Sequence, residues 1–276
     1  MQKIISSRSN SNVRHAKNLV SFVSYRNKCK EFIIEGRRLC LSAVDSGVEI
    51  CQCYLTEEAF KKHKNSLERI LKNSQKIYWV KDFLLEFMSD TKKAQGIICV
   101  CKMLDKDRIK RKTNSIEMDF KGSTGNFIIL ENIQDPANLG TIIRTACAFG
   151  ISEVILSNDC CDIYSPKVLR GSMGSVFELP FNVCEDVCDF ALKMKNKGVL
   201  VCAAVAEKNN SITINDVDKS RAKAVAIGNE GRGLTSDMIE ISEIKFTVPT
   251  SNKVESLNAA VAASIIMWEM TKRRAP

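Results

Sequence analysis

Histidine is almost absent from this 276-residue sequence, which holds only His15 and His63, and its twelve cysteines never form a C-x-x-C spacing. Structural zinc sites need closely spaced Cys and His ligands, so the sequence predicts no zinc site. It also lacks an apolar run long enough to cross a membrane and an apolar N-terminal segment typical of a signal peptide. We therefore expect a cytoplasmic protein with no membrane partner, whose cysteines are reduced and mostly buried.

Acidic residues are scarce in the N-terminal part of the chain. Residues 1–112 hold 24 Lys and Arg against 12 Asp and Glu, a net charge of +12, whereas residues 113–276 hold 17 against 20, a net charge of −3. Lys and Arg bind nucleic acids by neutralising phosphates and releasing counterions. The asymmetry predicts that the N-terminal part contacts a polyanion, and a solubilising basic surface is the alternative interpretation.

The apolar segments predict two α/β units. In the first we expect helices at 11–22, 37–46 and 56–71 and strands at 32–34, 48–55, 77–80 and 97–100. In the second we expect helices at 139–149, 186–196 and 256–272 and strands at 127–130, 154–156, 176–179, 199–205, 224–227 and 244–248. Continuous apolar strands that alternate with helices favour a mostly parallel sheet covered on both faces. The charged and Gly-rich stretch between the units predicts a linker at 105–125, which separates domains at 1–104 and 126–276.

Three polar segments follow apolar strands of the second unit, where open α/β sheets bind their ligands. The first, 131–145, places Asn138 and Arg144 near the start of an apolar helix. The guanidinium of Arg144 needs an acceptor if it is buried, because an unpaired buried charge is costly. Three alternatives meet this need: the guanidinium pairs with an acid of the same molecule, it extends to solvent, or it binds a phosphate or carboxylate of a ligand.

The other two segments contain glycine or small residues. Residues 228–234 (GNEGRGL) hold three glycines that permit close backbone approach, and a tight turn leading to a helix cap at Thr235 is the alternative interpretation. This pattern is neither a phosphate loop nor a dinucleotide fingerprint. In the third segment, 248–264, Ser256 is a candidate N-cap, and we expect Asn258 inside the first turn despite its poor helix propensity. The small residues that follow favour close packing in a core or an oligomer interface.

Together these segments resemble the three motifs of the SpoU (TrmH) family of RNA ribose 2′-O-methyltransferases, a branch of the SPOUT superfamily. The matching stretches are DPANLGTIIRTACAFG (135–150), AIGNEGRGL (226–234) and VPTSNKVESLNAAVAASI (248–265), and SPKVLRGSMGSVFELP (165–180) is also similar. Their order and spacing fit, and the resemblance covers about 127–270. The stretch RNKCKEFIIEGRRL (26–39) is similar to the RNA substrate-binding domain often fused ahead of this catalytic domain.

The resemblance implies transfer of a methyl group from S-adenosylmethionine to a ribose 2′-hydroxyl of RNA. It favours rRNA over tRNA, because the N-terminal domain is similar to that of rRNA-directed members. It further implies a deep trefoil knot in the α/β catalytic domain, and a homodimer whose active site takes residues from both subunits. The methyl donor is already activated by its sulfonium charge, so no metal is expected.

The resemblance also implies site residues. The catalytic cluster would consist of Arg144, Asn138, Glu230, Ser256 and Asn258. The cofactor would be bound at Gly228, Asn229, Gly231, Val248 and Leu257. Arg144 suits a phosphate and ribose clamp, because a guanidinium binds in bidentate fashion. Our hypothesis for the 2′-hydroxyl proton is relay to the adjacent phosphate, since a guanidinium keeps its own proton.

Other functions stay open at this point. One is a non-catalytic RNA-binding protein with a methyltransferase fold, against which the complete set of Asn138, Arg144, Glu230 and Asn258 argues. A second is an enzyme that acts on a small molecule, which has no need of a +12 domain. A third is methylation of a base nitrogen, which other SPOUT branches perform.

Overall fold

The computed structural model describes residues 4–91, 94–104, 109–111, 125–206, 211–217, 222–251, 253–254 and 256–272. The chain forms two compact units. The first contains residues 1–104 together with 162–178, and the second contains residues 105–161 and 179–276. No helix within the described ranges has the length and apolarity that crossing a membrane requires.

Helices and strands alternate along both units. The helices are α1 Ser11–Ser21, α2 Val23–Cys29, α3 Arg37–Asp45, α4 Glu57–Lys62, α5 Lys64–Lys72, α6 Asp82–Met88, α7 Pro136–Ala148, α8 Pro166–Ser172, α9 Val187–Asn196, α10 Ser236–Ile241 and α11 Ala259–Thr271. The strands are β1 Glu31–Glu35, β2 Ile50–Leu55, β3 Ser74–Trp79, β4 Ile97–Lys102, β5 Ile109–Arg111, β6 Asn126–Leu130, β7 Glu153–Ser157, β8 Phe181–Cys184, β9 Leu200–Ala204, β10 Ile212–Thr213, β11 Lys223–Ile227 and β12 Ile244–Thr247.

The first unit is built on a four-stranded mixed sheet of order β1-β4-β2-β3. Strand β4 runs antiparallel to both of its neighbours, and β2 runs parallel to β3. Helices α1 and α6 pack against one face, where Val13, Leu19, Leu84 and Met88 are buried with apolar residues of the strands. Burial of such a continuous apolar layer is the main force that stabilises the unit.

The segment 162–178 completes this first unit although it lies far along the chain. Tyr164 and Phe177 place their rings 4.7 Å and 6.1 Å from the ring of Phe32 in β1. The buried guanidinium of Arg26 pairs with Asp162 at 2.8 Å and donates to the carbonyl of Leu19 at 2.6 Å. A buried arginine needs such partners, because an uncompensated charge away from water is strongly destabilising.

The second unit is built on an eight-stranded sheet of order β10-β12-β9-β11-β6-β7-β8-β5, in which every neighbouring pair is parallel. This confirms the predicted mostly parallel sheet. All the strands end at the same edge, so the loops that follow β6, β11 and β12 share one side of the sheet. Those loops carry the three polar segments.

Several segments of the first unit differ from the prediction, and helix α2 was not predicted at all. The helix expected over 56–71 is interrupted at His63 (φ −131°, ψ 35°), which divides it into α4 and α5. The apolar stripe is broken there, since all six residues between Phe60 and Leu67, at 61–66, are charged or polar. Helix α6 was not predicted, because the short stretch 82–88 lacks a polar cap: Lys81 precedes it and makes no side-chain cap hydrogen bond.

The expected strand at 176–179 is wrong. Residues Ser175–Phe177 form a 3-10 helix after Gly174 (φ 97°), and the strand begins only after Pro180, at Phe181. A short apolar run has the same composition in a buried strand and in a buried turn, so periodicity could not separate them. Helix α8 was also missed. Most of the predicted linker 105–125 lies outside the described residues, but Ile109–Arg111 is a strand paired with β8.

Candidate active site

The loop after β6 leads into helix α7 and positions Asn138. Asp135 caps the helix, because its Oδ1 accepts from the Ala137 N–H at 2.8 Å, and Pro136 occupies the first helical position, where no N–H is needed. The helix therefore begins earlier than 139, and Asn138 lies in its first turn. Only 7% of Asn138 is exposed, so its amide needs partners inside the protein.

The loop after β11 is a tight turn that its own backbone and side chains hold closed. Asn229 and Gly233 exchange backbone hydrogen bonds of 3.1 and 2.9 Å, and Asn229 Oδ1 accepts from the N–H groups of Gly231 and Arg232 at 2.9 and 3.1 Å. A Cβ at Gly228 would lie 2.2 Å from the carbonyl carbon of Gly233, so only glycine fits there. The loop ends at Thr235, which caps α10 by accepting from the Met238 N–H at 3.3 Å, as in the alternative interpretation of this segment.

The loop after β12 ends at Asn258, which is the N-cap of α11. Its Oδ1 accepts from the N–H groups of Ala260 and Val261 at 3.0 and 3.3 Å. The prediction that Ser256 caps the helix and that Asn258 lies inside its first turn is therefore wrong. Asparagine is among the best N-cap residues, which is the reason that a poor helix former stands here. Ser256 is exposed, Leu257 is half-buried, and Val248 directly follows the strand.

A continuous chain of side-chain hydrogen bonds joins the three loops. The Nδ2 of Asn258 donates to Oδ1 of Asn138 at 2.9 Å, and the Nδ2 of Asn138 donates to Oε1 of Glu230 at 3.0 Å. Both ends of the Asn138 amide are thus satisfied. Three of the five predicted catalytic residues come together in this way, each from a different loop. A carboxylate can only accept hydrogen bonds, so Asn138 must direct its Nδ2 towards Glu230 and its Oδ1 towards Asn258.

Glu230 is surrounded by hydrogen-bond donors. Desolvation raises its pKa, but the Asn138 amide and the backbone N–H groups of Glu230, Asp135 and Gln134 lower it by more, so the net pKa lies below the ordinary value. The Asp135 N–H donates to Oε1 at 3.3 Å and the Gln134 N–H donates to Oε2 at 3.4 Å. Hydrogen bonds to the charged form favour ionisation. Glu230 is therefore a carboxylate at neutral pH.

Comparison with known families shows to which family the chain belongs. The sequence model of the SpoU rRNA Methylase family matches residues 125–268, which include all three loops, and the model of the MRM3-like substrate binding domain matches residues 10–99. The chain belongs to the SpoU rRNA methylase family.

Relatives within the family match nearly the whole chain. The uncharacterized tRNA/rRNA methyltransferase slr1673 of Synechocystis sp. is 29% identical over 90% of this chain and 86% of its own. The 23S rRNA (guanosine(2553)-2′-O)-methyltransferase RlmP of Bacillus subtilis is 28% identical over 89% of this chain and 90% of its own. A crystal structure of an rRNA methyltransferase from Sinorhizobium meliloti is similar with a TM-score of 0.82 and 25% identity, covering 97% of this chain and 96% of that chain.

Arg144 of this SpoU-family chain is exposed and stands apart from the hydrogen-bonded chain. It makes no ion pair with the part of the protein that the structure describes, so pairing within those residues does not explain it. Six residues along an α-helix turn the side chain by about 120° away from that of Asn138. The exposed face of α7 instead carries Ala137, Thr141, Arg144 and Ala148.

Residues that the sequence analysis missed hold the loops together. Only 6% of Glu131 is exposed, and its two carboxylate oxygens accept from the N–H and the hydroxyl of Thr235, both at 2.8 Å. Asn229 Nδ2 donates to the carbonyl of Asn132, which has a positive φ of 56°. An acid that directly follows a fully apolar strand was the available signal for Glu131, because a buried carboxylate needs fixed donors.

A cleft of about 780 Å³ opens beside these loops at the carboxyl ends of the strands. Its walls come from the loops after β6, β7, β8 and β11, with Glu131, Asn132, Asn229 and Arg232 on the side of the hydrogen-bonded chain. Within the described part of the molecule, no group of three His, Cys, Asp or Glu side chains is placed to hold a metal ion. The chemical groups that the site offers are carboxylates, amides and backbone N–H groups.

Proposed function

We propose that this protein transfers a methyl group from S-adenosylmethionine to a ribose 2′-hydroxyl of ribosomal RNA. The observation that carries the proposal is the hydrogen-bonded chain Asn258–Asn138–Glu230, which joins the three motif loops of a SpoU-family chain. Its relative in Bacillus subtilis is named as a 23S rRNA 2′-O-methyltransferase and matches about nine tenths of both chains. We therefore assign ribosomal RNA as the substrate and S-adenosylmethionine as the methyl donor.

The donor site that we propose consists of backbone around Gly228, Asn229, Gly231, Val248 and Leu257. S-adenosylmethionine supplies an activated methyl group when it is bound, so the protein has to bind and orient it. The loop fits this task because Gly228 lets two backbone segments approach closely and Asn229 fixes the turn through four hydrogen bonds, two to Gly233 and one each from Gly231 and Arg232. Fixed geometry is what methyl transfer requires, since the acceptor oxygen must lie within roughly 3–3.5 Å of the methyl carbon.

Glu230 acts in our proposal as a positioning residue and not as the base. A carboxylate offers about four lone-pair sites. Those of Glu230 accept from Asn138, Asp135, Gln134 and, at 3.5 Å, Asn229. These donors compete with the 2′-hydroxyl for the carboxylate, and the lowered pKa makes the carboxylate a weak base. The proton is relayed to the neighbouring phosphate of the RNA, and Arg144 clamps that phosphate.

A homodimer that shares its active sites is part of the proposal. The α11 face beside α7 exposes Val261, Ile265 and Trp268 at 48%, 36% and 51%, spaced along one side of the helix. Helices α7 and α11 pack together, with Thr145 and Ser264 hydroxyls 3.4 Å apart and the Phe149 and Trp268 rings 5.8 Å apart. The exposed face of α7 that carries Arg144 thus borders an apolar stripe. A second copy that covers this stripe brings Arg144 into the partner's site.

We assign RNA binding to the N-terminal domain and catalysis to residues 126–276, within which we place the trefoil knot. The placement is supported by the sheet order, in which β11 lies between β9 and β6 although both of these strands precede it in the chain. The compartment that we propose is the cytoplasm. All twelve cysteines are free, and free thiols persist in a reducing compartment.

Labelled S-adenosylmethionine tests the function. The purified protein is incubated with separate pools of unmodified rRNA and tRNA, in parallel with Arg144→Ala, and the products are digested to nucleosides. We expect label in a 2′-O-methylnucleoside from rRNA that is lost with Arg144→Ala. Label in tRNA corrects the substrate, and label in a methylated base corrects the reaction. Cofactor binding without transfer to either pool supports the non-catalytic RNA-binding alternative, and no cofactor binding at all refutes the proposal.

A further inference from the structure

One surface of the first unit combines cations with aromatic rings. The guanidinium of Arg8 lies 5.9 Å from the ring centroid of Phe83 and 5.2 Å from that of Phe87, and Nζ of Lys17 lies 5.4 Å from the Phe87 centroid. Arg14 lies one turn before Lys17 on α1 and is exposed. We call these five residues the α1/α6 patch, because they lie on or directly before those two helices, which pack together.

The cations of the α1/α6 patch have no carboxylate partners among the residues that the structure describes. Two exposed cations elsewhere in the unit do have carboxylate partners, in the pairs Lys64–Glu68 at 3.9 Å and Lys102–Glu49 at 3.1 Å. The acids of α6, Asp82 and Glu86, form no ion pair with the patch. Since Arg8 and Lys17 both lie over one ring, their charges are about a Debye length apart or closer and repel each other.

An anion that contacts both cations removes this repulsion. Phosphates spaced along a nucleic-acid strand supply such anions, and their binding releases counterions. The patch also offers an aromatic side chain, since 41% of Phe83 is exposed. Unstacked RNA bases bind to exposed aromatic rings, whereas a small anion makes no use of them. Charge and aromatic exposure therefore point to the same partner, a single-stranded or looped RNA segment.

We infer that the α1/α6 patch binds the RNA substrate, with Arg8, Arg14 and Lys17 on successive phosphates and Phe83 against an unpaired base. The inference rests on the proposed function, because it takes RNA as the substrate. It goes beyond that function by naming the surface of the N-terminal unit that holds the RNA. Ile5 forms a parallel bridge with Val80, directly after β3. This bridge fixes the chain just before Arg8 and so holds the guanidinium in a defined place.

Salt-dependent binding of a fluorescently labelled, unmodified rRNA transcript tests the inference. The double variant Arg8→Ala/Lys17→Ala removes two unpaired cations, and the matched control Lys64→Ala/Lys102→Ala removes two paired ones. Loss of two phosphate contacts is expected to reduce the slope of log K against log [salt] by about 1.4–1.8 and to weaken binding roughly tenfold. The control changes the slope by less than half as much. Phe83→Ala weakens binding with an unchanged slope.

Charge-conserving replacement separates loss of charge from loss of fold. Arg8→Lys/Lys17→Arg is expected to restore most of the slope, and circular dichroism of each variant establishes that the unit is folded. If wild-type protein binds and methylates rRNA while the double variant keeps the wild-type affinity and slope, the patch is refuted and the proposed function stands. If wild-type protein neither binds nor methylates RNA, both are overturned.

Discussion

Glu131 and Thr235 are joined by two hydrogen bonds of 2.8 Å, one to the backbone N–H and one to the hydroxyl of the threonine. The carboxylate lies at the end of β6, and the threonine closes the loop that begins at Gly228. Four other hydrogen bonds link the same two segments, from Asn229, Gln134, Asp135 and Asn138. The glycine-rich loop is therefore held at both ends by the segment that precedes α7.

Removal of this tie loosens the proposed donor site. We expect Glu131→Ala to lower kcat/KM for S-adenosylmethionine at least about tenfold and to cost roughly 1–3 kcal/mol of folding free energy, because the Thr235 N–H loses its partner. Glu131→Gln keeps an acceptor for that N–H and retains most of the activity. Steady-state kinetics and urea unfolding measure both effects. The exposed acid Glu240 on α10 provides the control, Glu240→Ala. Equal losses of activity and stability in both alanine variants contradict the proposed role of the Glu131–Thr235 hydrogen bonds.

The amide of Asn138 cannot be replaced by its isosteric acid. Asn138→Asp places a carboxylate oxygen about 3 Å from the carboxylate of Glu230, where the amide now donates. We expect a loss of folding free energy of about 2–3 kcal/mol at neutral pH and a fall of kcat by about a hundredfold, because the two charges repel each other. The exposed Asn196 gives the matched control Asn196→Asp, which should leave both quantities within error. Wild-type stability of Asn138→Asp would refute the arrangement.

Acid should remove the stabilisation that Glu230 provides. Because its folded-state pKa lies below the ordinary value of 4.5, its contribution is fully present above that value and is lost as pH falls through the lower folded pKa. The difference in unfolding free energy between wild type and Glu230→Gln is therefore constant from pH 7 to about 5.5 and shrinks below about 4.5. Urea unfolding across this range measures it. A difference that grows with acid contradicts the sign of the shift.

Charge on the exposed α11 stripe should separate the proposed dimer. Ile265→Glu places a carboxylate among Val261 and Trp268, and we expect a monomer in sedimentation and a loss of methyl transfer. The monomer's own folding free energy should change by about 0.5 kcal/mol or less, because the site is exposed. Leu192, an apolar residue of α9 that is 42% exposed, gives the control Leu192→Glu, which should remain dimeric. A monomeric and active Ile265→Glu protein refutes the shared site.

Subunit mixing tests which protomer supplies Arg144. Arg144→Ala and Glu230→Ala are each expected to lower kcat by a hundredfold or more. Arg144→Ala should unfold like wild type, because the side chain is exposed and forms no ion pair with the residues that the structure describes. In a mixed dimer with sites shared between subunits, one site has both residues intact. Equimolar random mixing is then expected to recover about a quarter of wild-type activity, whereas sites confined to one chain recover none.

The sequence predicted the parallel sheet because its strands are continuous apolar runs that end in polar loops. Residues 127–130 and 224–227 were found within one residue of their observed bounds. The prediction was wrong where the same short apolar sequence suits either a strand or a turn. The apolar stretch at 176–179 contains a buried 3-10 turn beside Phe32. Only its tertiary contacts distinguish that turn from a strand. Short helices such as α6 and α8 are formed by packing rather than by propensity, and the pattern could not show them.

The grouping of the candidate site residues was anticipated only in part. The resemblance of three motifs, each of which follows a strand, brought out Asn138, Glu230 and Asn258. Their roles could not be read from spacing: Asn258 is a cap, and Ser256, two residues earlier, is not. Burial of Glu131 and exposure of Arg144 both depend on the face that a helix or strand end presents after folding. A single sequence contains no direct record of those faces.

The position of residues 162–178 has a consequence for synthesis of the protein on the ribosome. Phe32 packs on Tyr164 and Phe177, and Arg26 pairs with Asp162, so the N-terminal unit lacks these partners until Glu178 has left the exit tunnel. By then β6, α7 and β7 have already been made. A nascent chain of 104 residues thus carries an exposed aromatic ring and an uncompensated arginine, and it is a natural client for a chaperone.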